Sequence, residues 1–331
     1  MPESFQIQEL EVKKGEKRQG YLRISEKPAG THHVPLTLIN GVGDGPTLLV
    51  NGGEHGSEYN GPAACLSLMS ELDPSQIRGR VIIVPMVNTL AFETRWTHSN
   101  PVDYRDLTGC YVPEIPRGGS GPPLISYYVA RAFYNEVISK ADYRLNLHGG
   151  DIEEDLLTGV MYSKTGTDPK RDETTLALAR SFGWEWIREG LPRVSPTPSS
   201  VRRLAMPITV GTEAGGMGRC QSDVVESVAK GVTNVMKHLK MLDGKPSIPT
   251  KAKVFNPYHM YASRGGFFIS NARAGDLVKE GQVLGVIKNL FGEILEEIVV
   301  PTDGVIHMVT SPAIYEGDVV YEIGKDIREI S

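Results

Sequence analysis

The octapeptide Asn51-Gly-Gly-Glu-His-Gly-Ser-Glu58 constrains this chain more than any other stretch. It follows the apolar run Thr47-Leu-Leu-Val50, which reads as a buried strand, and precedes an Ala/Leu-rich run that reads as a helix. A strand-to-helix turn that carries His55 and, three residues on, Glu58 can aim an imidazole nitrogen and a carboxylate oxygen at one point. Glycines at 52, 53 and 56 permit the tight, partly left-handed backbone path that such convergence needs. Nitrogen and oxygen donors with a position left open suit a catalytic zinc ion. The bare spacing is weak evidence: 8 His and 40 acidic residues in 331 give roughly one His-x-x-acid match by chance. A second match, His148-Gly-Gly-Asp151, does occur.

Composition narrows the function classes. The net charge of −5 offers no electrostatic case for nucleic acid or an anionic membrane surface. No apolar run approaches the roughly 18 residues of a membrane span, and the opening Met-Pro-Glu-Ser-Phe-Gln reads as no secretory signal. Three scattered cysteines, Cys65, Cys110 and Cys220, suggest neither a disulfide framework nor a cysteine metal site, so a reducing cytoplasm is the expected location. The expected partner is a small molecule.

Along the chain, residues 1–40 read as a few edge strands, and from 46 to 242 strand-like and helical runs alternate. Strands are expected at 47–50, 80–85, 143–147 and 208–210, with helices near 61–72, 123–139, 172–182 and 222–242. That alternation predicts an α/β fold, a sheet with helices on both faces. The stretch 88–123, rich in Pro, Gly, Arg and Tyr, reads as a long functional loop. Asp243-Gly-Lys-Pro-Ser-Ile-Pro-Thr-Lys251 has the composition of a linker. It separates a domain over 1–245 from a small all-β module over 252–331, where short strands and Gly/Asp turns follow one another.

In a sheet of this kind ligands gather at the carboxyl ends of the strands. Four strand ends carry chemically capable residues: His55 and Glu58; Asn88 leading to Arg95; His148; and Glu213. Two His and one carboxylate would hold zinc with room for water. Glu213 could then take a proton from that water and hand it to a leaving nitrogen, and Arg95 could stabilise an oxyanion. Each alone has a plainer alternative: His148 as a hydrogen-bonded structural histidine, Glu213 as a turn cap, Arg95 as a surface cation. His98, His259 and His307 read as structural or surface residues.

The order GGEHGSE58, VPMVNTLAFETR95, ADYRLNLHGG150, TVGTEAGG216 resembles the succinylglutamate desuccinylase/aspartoacylase family, within the zinc carboxypeptidase-like clan. The β-rich tail up to Ile306 is similar to that family's C-terminal barrel-like module. The pattern GG-x-HG-x-E-Y-x-GP, here ending at Pro62, resembles the branch containing N-acetyl-diaminobutyrate deacetylases of ectoine breakdown. The resemblance implies a zinc carboxypeptidase-like mixed sheet and one Zn2+ per chain on His55, Glu58 and His148. It also implies Glu213 as general base and then acid, and Arg95 as the carbonyl-polarising group. The reaction implied is deacylation of a small N-acyl amino acid or N-acyl amine. Other readings stay open: carboxypeptidase-like or esterase activity on another small acyl compound, or a metal-binding homologue without turnover.

One departure stands out. The family's Asp-Leu-Asn-Arg, whose Asn-Arg pair grips the substrate carboxylate, is here Asp106-Leu-Thr-Gly109. Either Arg105 or Arg117 in the same loop takes over anion binding, or the substrate is not a free N-acyl amino acid. The C-terminal module also resembles lipoyl and biotinyl domains, but its lysine, Lys288, adjoins a strand end rather than the turn Asn-Leu-Phe-Gly. A module without a carrier lysine is expected, serving either as a lid or as the surface of a homo-oligomer; the sequence leaves the two open.

Overall fold

Main-chain hydrogen bonding draws the apolar runs into one large mixed sheet. The computed structural model describes residues 3–95, 98–112, 114–115, 124–190 and 206–331. A short hairpin of β1 (Ser4–Ile7) and β2 (Leu10–Lys13) precedes a long one, β3 (Glu16–Lys27) and β4 (Gly30–Asn40), at one edge of the sheet. Next come β5 (Gly43–Gly52), β6 (Arg78–Val84), β7 (Tyr143–Leu147), β8 (Asp155–Leu156), β9 (Gly159–Ser163), β10 (Trp186–Gly190), β11 (Ile208–Glu213) and β12 (Ala252–Tyr261). From that edge the order is β3-β4-β6-β5-β7-β11-β9-β10-β12. The pairs β5/β6, β5/β7, β7/β11, β9/β10 and β10/β12 are parallel, whereas β4/β6 and β9/β11 are antiparallel.

Burial on both faces explains why the central strands are continuously apolar. In β5, Leu48 and Val50 join one core and Leu49 the opposite one; in β6, Val81 and Ile83 oppose Ile82 and Val84. Among the described residues five helices cover the sheet: α1 (Asn60–Glu71), α2 (Thr89–Glu93), α3 (Ile125–Glu136), α4 (Pro169–Ser181) and α5 (Ser222–His238). Side chains of α1, α4 and α5 fill the first core, and α3 with the β1/β2 hairpin fills the second. The termini carry the expected signals. Asp168 caps α4 by accepting from Arg171 N, ahead of Pro169; α5 has Asp223 in its first turn and Lys237 in its last, complementing the helix dipole. No helix among the described residues is long and apolar enough to cross a membrane.

The C-terminal strands are β13 (Gly266–Ser270), β14 (Leu277–Val278), β15 (Val283–Lys288), β16 (Ile294–Val299), β17 (Gly304–Val309), β18 (Ala313–Ile314) and β19 (Val319–Ile330). A four-stranded sheet, β16-β15-β13-β18, packs over a core containing Phe268, Leu284, Ile287 and Tyr321. Lys288 closes β15 and pairs with Phe267 and Ile294. The other strands extend the main sheet instead: β12 bonds to β19, β19 to β17, and β17 to both β14 and β8. This continuity was not visible in the sequence, nor were β9 and β10.

Candidate active site

The turn after β5 is shaped by two glycines for different reasons. Gly53 has φ +66°, and a Cβ there would lie 2.3 Å from the Met86 sulfur. Gly56 is a matter of space: a Cβ would sit 2.5 Å from the Ala91 carbonyl carbon of α2. Gly52 takes no left-handed conformation, so the expected left-handed path is confined to one residue of the three.

This turn brings His55 and Glu58 together, and β7 delivers His148 to the same place. Glu58 lies between the imidazoles, with Oε1 2.5 Å from His55 Nδ1 and Oε2 2.9 Å from His148 Nδ1. All three side chains are buried, and one donor atom from each falls within 4.8 Å of the other two. Burial works against charge on every one of them, yet their mutual attraction prevails. His55 and His148 are held above the usual imidazole range, chiefly by Glu58, and Glu58 is held below the usual carboxylate range by both. Protons thus occupy the donor atoms a cation would use. Two nitrogens and a carboxylate in a compact buried set fit a divalent metal ion such as zinc.

A network behind His148 was not apparent in the sequence. Glu54, buried, accepts from Arg144 Nη2 at 2.7 Å, Tyr111 OH at 2.6 Å and Asn146 Nδ2 at 2.9 Å. Its Oε2 lies 3.5 Å from His148 Nε2, whose nearer partner is Asn146 Nδ2 at 2.7 Å. Burial would raise the Glu54 carboxyl, but Arg144 and His148 hold it well below the ordinary range. A carboxylate on the far nitrogen of a metal-binding imidazole fixes its tautomer and orientation.

His98, expected to be structural or at the surface, stands in the site. Its ring centroid is 4.3 Å from that of His55, and its Nδ1 is 2.6 Å from Asp151 Oδ2. Buried Asp151 also accepts from Ser57 Oγ. His55, His98 and Asp151 form a second three-donor group that shares His55 with the first.

A cavity of about 280 Å³ opens onto these residues, and Glu213, at the end of β11, lines it with His55, Glu58 and His148. Glu213 Oε2 is out of solvent with no hydrogen-bond partner among the described residues. Burial, with Glu58 nearby, pushes its carboxyl well above the usual range. The far wall comes from the C-terminal strands, with His307 of β17 and Glu322 of β19, and from Arg188 of β10. His307 had read as structural and Arg188 had no sequence signal at all; only folding sets them against β7 and β11.

Of the expected arginines, Arg95 and Arg105 do not line the cavity. Arg95 is exposed just beyond α2, with φ +58°, and is not among the described residues lining the cavity. Arg105 lies over the Tyr127 ring at 5.2 Å from its centroid. Arg117 falls outside the described residues. The departed loop folds as a short turn over Leu107–Cys110, capped by Asp106, whose Oδ1 is 3.4 Å from His55 Nε2.

Residues 44–239 match the model of the succinylglutamate desuccinylase/aspartoacylase catalytic domain, more than half of the chain. The chain belongs to this family. It is 26% identical over 327 residues, 95% of this chain and 93% of the relative, to an N-alpha-acetyl-L-2,4-diaminobutyric acid deacetylase of Halomonas elongata. A succinylglutamate desuccinylase/aspartoacylase structure from Rhodobacter sphaeroides superposes with TM-score 0.81 at 27% identity, covering 95% of this chain and 96% of that one. The product-bound ectoine utilization protein EutE (DoeB) from Ruegeria pomeroyi shares the fold, with TM-score 0.81 at 24% identity over 93% and 95% of the two chains. The family removes acyl groups from nitrogen, so the chain is a hydrolase of carbon–nitrogen bonds other than peptide bonds.

Proposed function

We propose that this protein is a zinc-dependent deacylase that hydrolyses the amide bond of a small N-acyl amino acid or N-acyl amine. The observation that carries the reading is the convergence of His55, Glu58 and His148 beside a carboxyl, Glu213, whose Oε2 has no hydrogen-bond partner among the described residues. His55, Glu58 and His148 would hold one zinc ion per chain. When bound, such an ion polarises an acyl carbonyl and makes a water molecule more acidic.

Glu213 supplies the proton traffic. In the metal-free cavity burial keeps its carboxyl protonated, whereas a neighbouring cation favours the carboxylate. As carboxylate, Oε2 is free to accept a proton from the attacking water. The same proton then passes to the departing nitrogen, so the amine leaves neutral and Glu213 returns to its starting state. Arg95 is proposed to support the developing oxyanion, a role that requires its exposed side chain to turn inward around bound substrate.

The Halomonas relative makes N-alpha-acetyl-L-2,4-diaminobutyrate the first substrate to try. Zinc-loaded protein, with and without chelator, should be assayed on N-acetyl, N-succinyl and N-formyl amino acids. Turnover abolished by chelation and by Glu213→Gln is expected. Stoichiometric zinc without turnover across the panel would overturn the reading in favour of a binding protein.

A further inference from the structure

The C-terminal wall of the cavity is built around one saturated carboxylate. Glu322 Oε1 accepts from Arg188 Nε at 2.7 Å, and Oε2 accepts from Arg188 Nη2 at 2.8 Å. His307 Nδ1 lies 2.8 Å from Oε1 and His259 Nε2 2.8 Å from Oε2. Four donors fill the roughly four lone-pair positions of a carboxylate. Glu322, though it lines the cavity, has no acceptor capacity left for a ligand's ammonium or hydroxyl.

The consequence falls on Arg188. Its fork to Glu322 uses the Nε proton and one Nη2 proton, fixing the guanidinium in plane and rotamer. Three N–H groups take no part in that fork: both on Nη1 and the second on Nη2. They form the other bidentate edge of the guanidinium, spaced for two carboxylate oxygens. Arg188 keeps 21% of its side chain accessible, against 5% for Glu322. Among the described residues lining the cavity it carries the one permanent positive charge. Toward a ligand Arg188 is a donor only, and it lines the cavity together with His148 and Glu213.

We infer that Arg188 is the subsite for the carboxylate of the substrate, with Glu322 as its positioning residue. This rests on the deacylase reading and deepens it: the enzyme would select N-acyl amino acids over the corresponding neutral amides. The anion is held at the C-terminal wall rather than by Arg105, which lies over the Tyr127 ring.

Two measurements test this. Steady-state kinetics on N-acetyl-L-2,4-diaminobutyrate and its α-carboxamide should show a lower KM for the acid by on the order of 10- to 100-fold, the range of a charge-assisted bidentate contact. Arg188→Gln should erase that preference by raising the KM of the acid far more than that of the carboxamide. Glu322→Gln should raise the same KM by a smaller factor. Arg188→Lys, which keeps the charge and loses the fork, should fall between wild type and Arg188→Gln, and carries the test if the glutamine variant fails to fold. Independently of turnover, calorimetric binding of the product L-2,4-diaminobutyrate and its carboxamide should show the same preference and the same loss. An acid preference that survives in Arg188→Gln, or none in the wild type, overturns the subsite. If nothing is hydrolysed but product binding follows the expected pattern, the deacylase reading fails and the anion subsite stands.

Discussion

Replacing Glu54 by Gln keeps the size of the side chain and removes its charge. Arg144, with about 5% of its surface exposed, then remains as a buried cation whose main counter-ion is gone; its other polar partner is Asn51 Oδ1 at 2.8 Å. Breaking a buried ion pair by neutralising one member costs about 3–5 kcal/mol. With an unfolding entropy of about 2.1 cal/mol/K per residue, 331 residues correspond to roughly 0.7 kcal/mol/K, so Tm should fall by about 4–7 °C. The His148 imidazole also loses its carboxylate, which lowers metal affinity by about 10- to 100-fold. Calorimetric melting of the metal-free protein reads the first effect, and zinc competition against a chelator reads the second. The double variant Glu54→Gln/Arg144→Met separates them: removing both charges should restore part of Tm while zinc affinity stays low. The pH dependence has a definite sign. Glu54 has a folded-state value below its ordinary 4.5, so its stabilisation is present above about pH 4.5 and is lost as pH falls. The variant should therefore lose stability less steeply in acid. An unchanged Tm together with wild-type zinc affinity would refute the role given to this network.

Three further outcomes are expected. Glu213→Gln should lower kcat by about 10²- to 10⁴-fold while retaining one zinc per chain; loss of zinc instead would make Glu213 a ligand. Because Glu58 holds His55 and His148 above their ordinary range, both carry protons in the metal-free protein at neutral pH, and zinc must displace them. Zinc affinity should rise with pH, with close to three protons released, two from the imidazoles and one from Glu213, measurable by calorimetry in buffers of different ionisation enthalpy; no release would sink this account. Gly231→Ala would place a Cβ 1.9 Å from Phe182 Cε1 at the contact with α5, so we expect a loss of about 1–3 kcal/mol by denaturant unfolding, and an unchanged midpoint would contradict the packing.

What could be read in the sequence divides along a physical line. His55, Glu58, His148 and Glu213 stand at the ends of strands that announce themselves by continuous apolar character, so strand-end logic finds them without knowing the sheet order. Glu54 occupies a position inside the glycine turn that nothing marks until Arg144 and Asn146 arrive from β7, about ninety residues later. Arg188 was hidden for a related reason. In Trp186-Ile-Arg-Glu-Gly190 only Ile187 is fully apolar and buried, so no run identifies a strand, and Glu322 lies 134 residues away. His98 and His307 were undervalued because a lone histidine carries no indication of what it will face. The loop over Asp106–Gly109 shows the converse, since its departure from the family pattern was legible but the residue answering it was not.

Strands β10, β12, β19 and β17 are laced edge to edge, so the side of the cleft formed by Arg188, His307 and Glu322 cannot retreat as a separate lobe. A compound seated against this side therefore meets a wall continuous with the main sheet, which sorts ligands by girth. Widening the tolerance for bulkier acyl groups would be a matter of trimming Leu156, Met161 or Met308 at the lining, not of loosening a hinge.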